Sequence, residues 1–292
     1  MVQTLTNPIT DLSWNFPIEL QDLKTTSGAV APRTKAIVRT DTNEVLSAVS
    51  TRYKPVLYED IIRKARIFTS SFGKPTERVL VGRNGASMNA EYTYMDRQLA
   101  VAKGDALGLR VYIGNSYNTS SAVTVRIGCI VLSCLNGMVA DKSLFEFSWR
   151  HTQGSDIRFP DPSLLLSKYT DLGGMVDTYS ESPLDNRQLA FALTELTPLI
   201  GTTSVETVCD KVVQLKTPTV WDFMQASTYE ITHRREKANY LYKLNKLSKV
   251  DKIVGKVYRH EYGGSHEIAS SRVTGEVHIH EGGVSNPITT VN

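Results

Sequence analysis

Short apolar stretches bounded by polar residues form T-K-A-I-V-R-T (34–40) and E-V-L-S-A-V-S-T-R-Y (44–53), and the two runs flank the polar triplet Asp41-Thr42-Asn43. That is the pattern of a hairpin. Alternation is clear in S-M-N-A-E-Y-T-Y-M, which with R-V-L-V-G brackets Arg83-Asn84-Gly85-Ala86, a second hairpin signal. It continues in L-G-L-R-V-Y-I-G and A-V-T-V-R-I-G-C-I at similar spacing. Only after Pro55 does the period lengthen, placing Ile61, Ala65 and Phe68 on one helical face that Gly73 and Pro75 end. The N-terminal half therefore predicts a curved, mainly antiparallel sheet with one early helix.

The second half reads as helices. Pro160 and Pro162 introduce S-L-L-L-S-K-Y, and P-L-D-N-R-Q-L-A-F-A-L-T-E-L predicts a helix starting near Leu184 or Asp185. A third begins near Thr219 and runs without Gly or Pro to Leu247. The fold class is α+β, strands first and helices packed later. Residues 1–32 read as an extended N-terminal arm with Pro8, Pro17 and Pro32. Residues 33–254 read as a single α+β domain, and 255–292 as a Gly-rich, polar tail with one strand at E-V-H-I-H.

Composition bounds the class without narrowing it. At 292 residues, 41% hydrophobic and 22% charged, the chain suits a soluble globular protein with a substantial core. No run approaches the length of apolar residues needed to span a membrane, and the first 20 residues carry Asp11 and Glu19 but no Lys or Arg. Cys129, Cys134 and Cys209 are odd in number and lack C-x-x-C spacing, which fits a reduced cytoplasm. Net charge is only +3, but nine Lys or Arg between His233 and Arg259 face only Glu236 and Asp251. That segment holds an excess of seven positive charges and leaves the rest of the chain four negative, an asymmetry expected of an anion-binding surface.

Within that segment Lys243, Lys246, Lys249 and Lys252 recur every three residues, with Lys256 beyond and Arg234 and Arg235 before, while Tyr240, Leu244 and Leu247 keep an apolar stripe. Such residues either neutralise phosphates or form an ordinary solvated face. Aromatic and basic residues also interleave on the predicted sheet: Arg52, Tyr53 and Lys54; Tyr92 and Tyr94 with Arg97; Arg110 with Tyr112. Arg126 and Arg150 extend the set. Alternate strand positions share a face, so these could stack bases beside phosphate contacts, or they could be strand-forming core residues. Glu276, His278 and His280 alternate as metal ligands might on a strand, but a tail is a poor place for a rigid site. His151 and His233 have no sequence-visible Cys or Ser partner, and no P-loop, G-x-S-x-G or paired-carboxylate motif occurs. No catalytic residue and no cofactor is expected.

Four ordered segments, R-T-D-T-N-E-V-L-S-A-V-S-T-R-Y-K-P-V, N-S-Y-N-T-S-S-A-V-T-V-R-I-G-C-I-V-L-S-C-L-N, R-H-T and T-V-W-D-F-M-Q-A-S-T-Y-E-I-T-H-R, together resemble a family carried by phages and plasmids, domain of unknown function 932. The resemblance spans about Asp11 to Leu247. It implies a mobile-element origin and a host cytoplasm, but no reaction, and it singles out Arg39, Asp41, Arg52, Tyr53, Asn115, Ser116, Arg126, Asn136, Arg150, His151, Trp221 and His233. Where N-S-H-D-G-S would be expected the chain has Asn115-Ser116-Tyr117-Asn118-Thr119-Ser120, with Tyr in place of a potential ligand His and Thr in place of a turn Gly.

Three readings stay open. The first is a nucleic-acid-binding protein, for single strands in replication or recombination, assembling as a homo-oligomer. The second is a protein-interaction module, such as a counter-defence factor binding a host protein through Trp14, Phe16 or Trp221. The third is a metal-dependent nuclease using His278 and His280 or His151 and His233.

Overall fold

A computed structural model describes residues 14–100, 104–133, 136–139, 146–151, 157–233 and 240–261. Two antiparallel sheets hold the strands. In the smaller, β1 (Ile18–Lys24), β2 (Val30–Arg39) and β3 (Glu44–Ser50) lie in the order β1-β2-β3. The turn between β2 and β3 falls on the expected D-T-N triplet, with Asn43 at φ 56°. Residues 18–24 of the segment read as an extended arm are thus a paired strand, and Trp14 and Phe16 before them are buried.

After helix α1 (Tyr58–Ser70) comes the larger sheet: β4 (Thr76–Gly82), β5 (Ser87–Ala100), β6 (Ala106–Ser116), β7 (Val123–Val131), β8 (Asn136–Val139) and β9 (Glu146–Trp149). Its order is β4-β5-β6-β7, with β8 and β9 sharing the far edge of β7 end to end. Five helices follow: α2 (Pro162–Glu181), α3 (Asn186–Ile200), α4 (Thr202–Val213), α5 (Val220–His233) and α6 (Tyr240–Glu261). The helix expected near Leu184 starts at a capping box in which Asp185 accepts from Gln188 N and Gln188 returns the bond. α6 carries the chain past the expected domain end at 254, with Gly255 buried inside it. The E-V-H-I-H segment, with Glu276, His278 and His280, lies outside the described residues, as do Arg234 and Arg235.

Alternation sorts the large sheet into two faces. Tyr92 and Tyr94 of β5, Leu107, Leu109, Val111 and Ile113 of β6, and Val123, Val125, Ile127 and Cys129 of β7 share the apolar face and are buried. The helices reach this face: Tyr94 donates to Thr69 O of α1, and Tyr169 of α2 donates to Leu107 O. Burial raises the Cys129 thiol pKa to about 12, so this cysteine is inert packing material.

The two sheets and α1 meet at the strand end Asn115-Ser116-Tyr117. Tyr117 OH accepts the N–H of Tyr58, the first residue of α1, which has no partner within the helix. Ser47 Oγ of β3 donates to Tyr117 O, Tyr53 OH donates to Ser116 O, and Asn115 Nδ2 donates to Val56 O. The Tyr58 and Tyr117 rings stack at 4.1 Å, and Phe16 packs edge-on to both. Tyr58 OH donates to Gly85 O, and a side chain at Gly85 (φ 103°) would collide with the Phe16 ring. Arg39 lies over the Phe16 ring, 4.0 Å from its centroid, while paired to Asp41. The polar loop that follows is an Asx turn at Asn118, with Thr119 held at φ 61°. Asn115, Ser116, Arg39 and Asp41 therefore serve the junction.

Gly128 makes the most exacting packing demand. A Cβ there would run into the Met138 carbonyl of β8 and lie 2.7 Å from Cε2 of Tyr112, whose ring rests on the glycine. Gly128→Ala is expected to lower unfolding stability by about 1–3 kcal/mol in urea titrations. Gly174→Ala, at an open helical position, should leave it unchanged or slightly raised.

Candidate nucleic-acid interface

The junction also gathers charge. Lys54 N donates to His151 O at 3.0 Å, and the Tyr53 ring stacks on the His151 ring at 4.7 Å, so residues about a hundred apart in sequence become neighbours. Arg52 and Lys54 flank the stack from one segment and Arg150 from the other. Arg33 joins them from β2, where its carbonyl accepts Thr51 N and its backbone sits at φ 64°. All four side chains are exposed, and none makes an ion pair among the described residues. Arg33 was invisible to the sequence reading, since only pairing with Thr51, the neighbour of Arg52, brings it to this segment.

Tyr53 itself is no stacking platform for a base. Its ring is buried, one face is taken by His151, and its hydroxyl is committed to Ser116. The same holds for the other expected stacking residues: Tyr92, Tyr94 and Tyr112 are buried. Alternation does put Tyr92 and Tyr94 on one face, but that face is the core. Arg97 is exposed and donates to Phe72 O.

Arg110 and Arg126 lie on the opposite, polar face of the large sheet, each paired to a carboxylate. Arg110 Nε meets Glu91 Oε1 at 3.0 Å, and Arg126 Nε meets Glu146 Oε2 at 2.7 Å. Strand register aligns Arg78, Glu91, Tyr112, Arg126 and Glu146 as one rung across β4, β5, β6, β7 and β9. Burial raises the Tyr112 hydroxyl pKa far above its usual value, so the group stays protonated. On this face Ser87 Oγ, Asn89 Nδ2 and Glu91 Oε2 are buried and have no hydrogen-bond partner among the described residues.

The basic helix divides in two. Leu244, Leu247, Val250, Ile253, Val254 and Val257 are buried, so most of α6 belongs to the core. Lys246 is buried with them and donates to Leu199 O in the last turn of α3, while Lys243 donates to Thr232 O at the end of α5. Both satisfy carbonyls that a helix end leaves open. A three-residue period hid this, because it winds around the helix. The exposed stripe instead follows the four-three spacing of Asn245, Lys249, Lys252, Lys256 and Arg259. Lys256 pairs with Glu195 at 2.7 Å.

Trp14, Phe16 and Trp221, read as partner anchors, are all buried, and Trp221 Nε1 donates to Asp105 Oδ2. His233 lies against the Tyr229 ring on α5 and His151 against Tyr53, each in a different setting. Among the described residues no group of three or more His, Cys, Asp or Glu could hold a metal ion. No described helix is long and apolar enough to cross a membrane.

His151 gives the interface a pH signature. The ring is buried and Nε2 lies 3.2 Å from Ser121 O, and burial, outweighing the backbone groups of Ser121 and Lys54, lowers its pKa from the usual value. A histidine that resists protonation when folded takes up its proton more readily when unfolded. Its contribution to stability is therefore complete above about pH 6.5 and declines as pH falls below that. Urea midpoints of wild type should drop between about pH 7 and pH 5, and His151→Gln should make that drop shallower.

No curated protein and no solved structure matches the chain. A family model described as a domain of unknown function (DUF932) matches residues 45–253, from the second residue of β3 into α6 and across most of the chain. The span takes in Arg52, Lys54, Arg150 and His151 and leaves Arg33, Lys256 and Arg259 outside. The chain belongs to the DUF932 family.

Proposed function

We propose that this protein is a nucleic-acid-binding protein of a phage or plasmid that grips the phosphate backbone of single strands in replication or recombination. The supporting observation is the cluster Arg33, Arg52, Lys54 and Arg150, four exposed cations without ion-pair partners among the described residues, set around the Tyr53–His151 stack. In a chain of net charge +3, that local excess favours a polyanion. The α6 stripe extends the same chemistry, since Lys249 to Arg259 spans about 15 Å of helix. The exposed Lys256–Glu195 pair yields to a phosphate at little cost. With the tyrosines buried, recognition runs through phosphates, is tolerant of sequence, and depends strongly on salt.

A second reading, a module that binds a host protein, rests on the exposed Leu20, Val30 and Val45 of the small sheet. Fluorescence anisotropy with labelled poly-dT across a salt series separates the two. Wild type should bind with a log-log salt slope of about −0.7 per phosphate neutralised, and Arg52→Ala/Lys54→Ala/Arg150→Ala should flatten that slope by about two units. Lys246 is left intact because its substitution would disturb the α3–α6 contact. Absence of binding near micromolar concentration at low salt would overturn the nucleic-acid reading.

A further inference from the structure

We infer that the cluster of Arg33, Arg52, Lys54 and Arg150 holds the end of a nucleic-acid strand, a terminal phosphate monoester, rather than the phosphodiesters along its length. The inference rests on the nucleic-acid reading above and adds which part of the strand this cluster takes. Its basis is how closely the fold gathers the four cations. Tyr53 N donates to Ser50 O at 2.9 Å, closing a turn over Ser50–Tyr53 whose ends lie within about 7 Å of each other. Within the turn Thr51 N donates to Arg33 O at 3.1 Å, and just past it Lys54 N donates to His151 O at 3.0 Å. Arg52 and Lys54 are therefore carried on the turn or at its exit, Arg33 is bonded to it, and Arg150 adjoins a residue bonded to its exit. The stack of Tyr53 on His151 at 4.7 Å fixes the two segments together.

Arg33 stands there under backbone strain. Asp22 of β1 pairs with Lys35, yet Lys24 pairs with Val30, so two steps along β1 oppose five along β2 and the excess forms a bulge over residues 31–34. Arg33 lies in that bulge at φ 64°, a left-handed conformation that glycine adopts freely and a side chain disfavours. Bulges re-aim side chains, and strained residues of this kind concentrate where ligands are held. Glycine would satisfy this backbone, so what arginine adds is its exposed guanidinium, which makes no ion pair among the described residues.

Charge density selects the ligand. A phosphodiester brings one negative charge, and successive ones are spread along the strand. That suits the exposed stripe of α6, where Lys249, Lys252, Lys256 and Arg259 follow one another along the helix. A phosphate monoester instead concentrates about −1.5 to −2 charge and three acceptor oxygens in one group at pH 7. Four cations gathered around one turn match that concentrated charge. The planar forks of Arg33, Arg52 and Arg150 supply paired N–H donors for its oxygens.

The test is fluorescence anisotropy of the full chain with internally labelled dT oligonucleotides of one length, ending in hydroxyls or carrying a 5′- or a 3′-phosphate. One phosphorylated form should bind about five- to tenfold tighter than the hydroxyl-ended one, whereas one extra nucleotide, which adds an internal phosphodiester, should gain less than about twofold. Arg33→Gly suits the left-handed backbone, so its thermal midpoint should stay level or rise while the phosphorylated and hydroxyl-ended forms come within about twofold of each other. Arg52→Ala should remove the preference as well. Equal binding of hydroxyl- and phosphate-ended strands by wild type would overturn the inference, as would a preference that survives Arg33→Gly. So would its loss when inorganic phosphate is added at about tenfold over the oligonucleotide, which would assign the cluster to free phosphate. If no oligonucleotide binds, the nucleic-acid reading falls and takes this inference with it; binding without an end preference removes this inference alone.

Discussion

The structure depends on a single hydroxyl. Tyr117 directly follows β6 and hands its hydroxyl oxygen to the first free backbone N–H of α1, while its own carbonyl accepts from Ser47 of β3. One residue thus ties the small sheet, the large sheet and the helix between them. Tyr53 and Asn115 repeat the device with carbonyls of neighbouring segments, and every one of these bonds is formed in a buried or partly buried setting. Interior hydrogen bonds of this kind contribute modestly when made and cost more when broken, so they fix geometry more than they add stability.

That junction explains how a chain of low net charge presents a concentrated basic surface. The stack of Tyr53 on His151 and the bond from Lys54 N to His151 O bring the end of the sheet back to the start of α1. The cations are carried by residues adjacent to anchored ones, and their own side chains remain free for a ligand. The basic stripe of α6 follows the same division, since the inward lysines satisfy helix ends and the outward ones meet solvent.

Much of the fold was legible in the sequence because local rules decide it. Strand-like patterning located β2 to β7, D-T-N and R-N-G-A marked turns, and P-L-D-N-R-Q-L placed a helix start near Leu184 or Asp185. Helix α4 and the extension of α6 past Gly255 were not visible, because tertiary burial overrode weak local signals there. The candidate site was legible only in part. Arg52 and Lys54 were named from basic residues interleaved with aromatic ones and Arg150 from the family resemblance, but their convergence depends on contacts between residues far apart in sequence. Periodicity gave the tyrosines a shared face without saying which face is buried. It could not show that Arg110 and Arg126 meet Glu91 and Glu146, since strand register alone creates that rung.

The junction also governs how freely the sequence can drift. Residues joined in one hydrogen-bonded and stacked network do not contribute independently, so a change at Tyr117 alters what Ser47, Tyr58 and Phe16 are worth. Replacements there are tolerated as sets, whereas Lys249 or Arg259, exposed on α6, can be exchanged one at a time. Divergent relatives of this chain should therefore keep or jointly replace the knot around Asn115-Ser116-Tyr117 while their charged surfaces vary position by position.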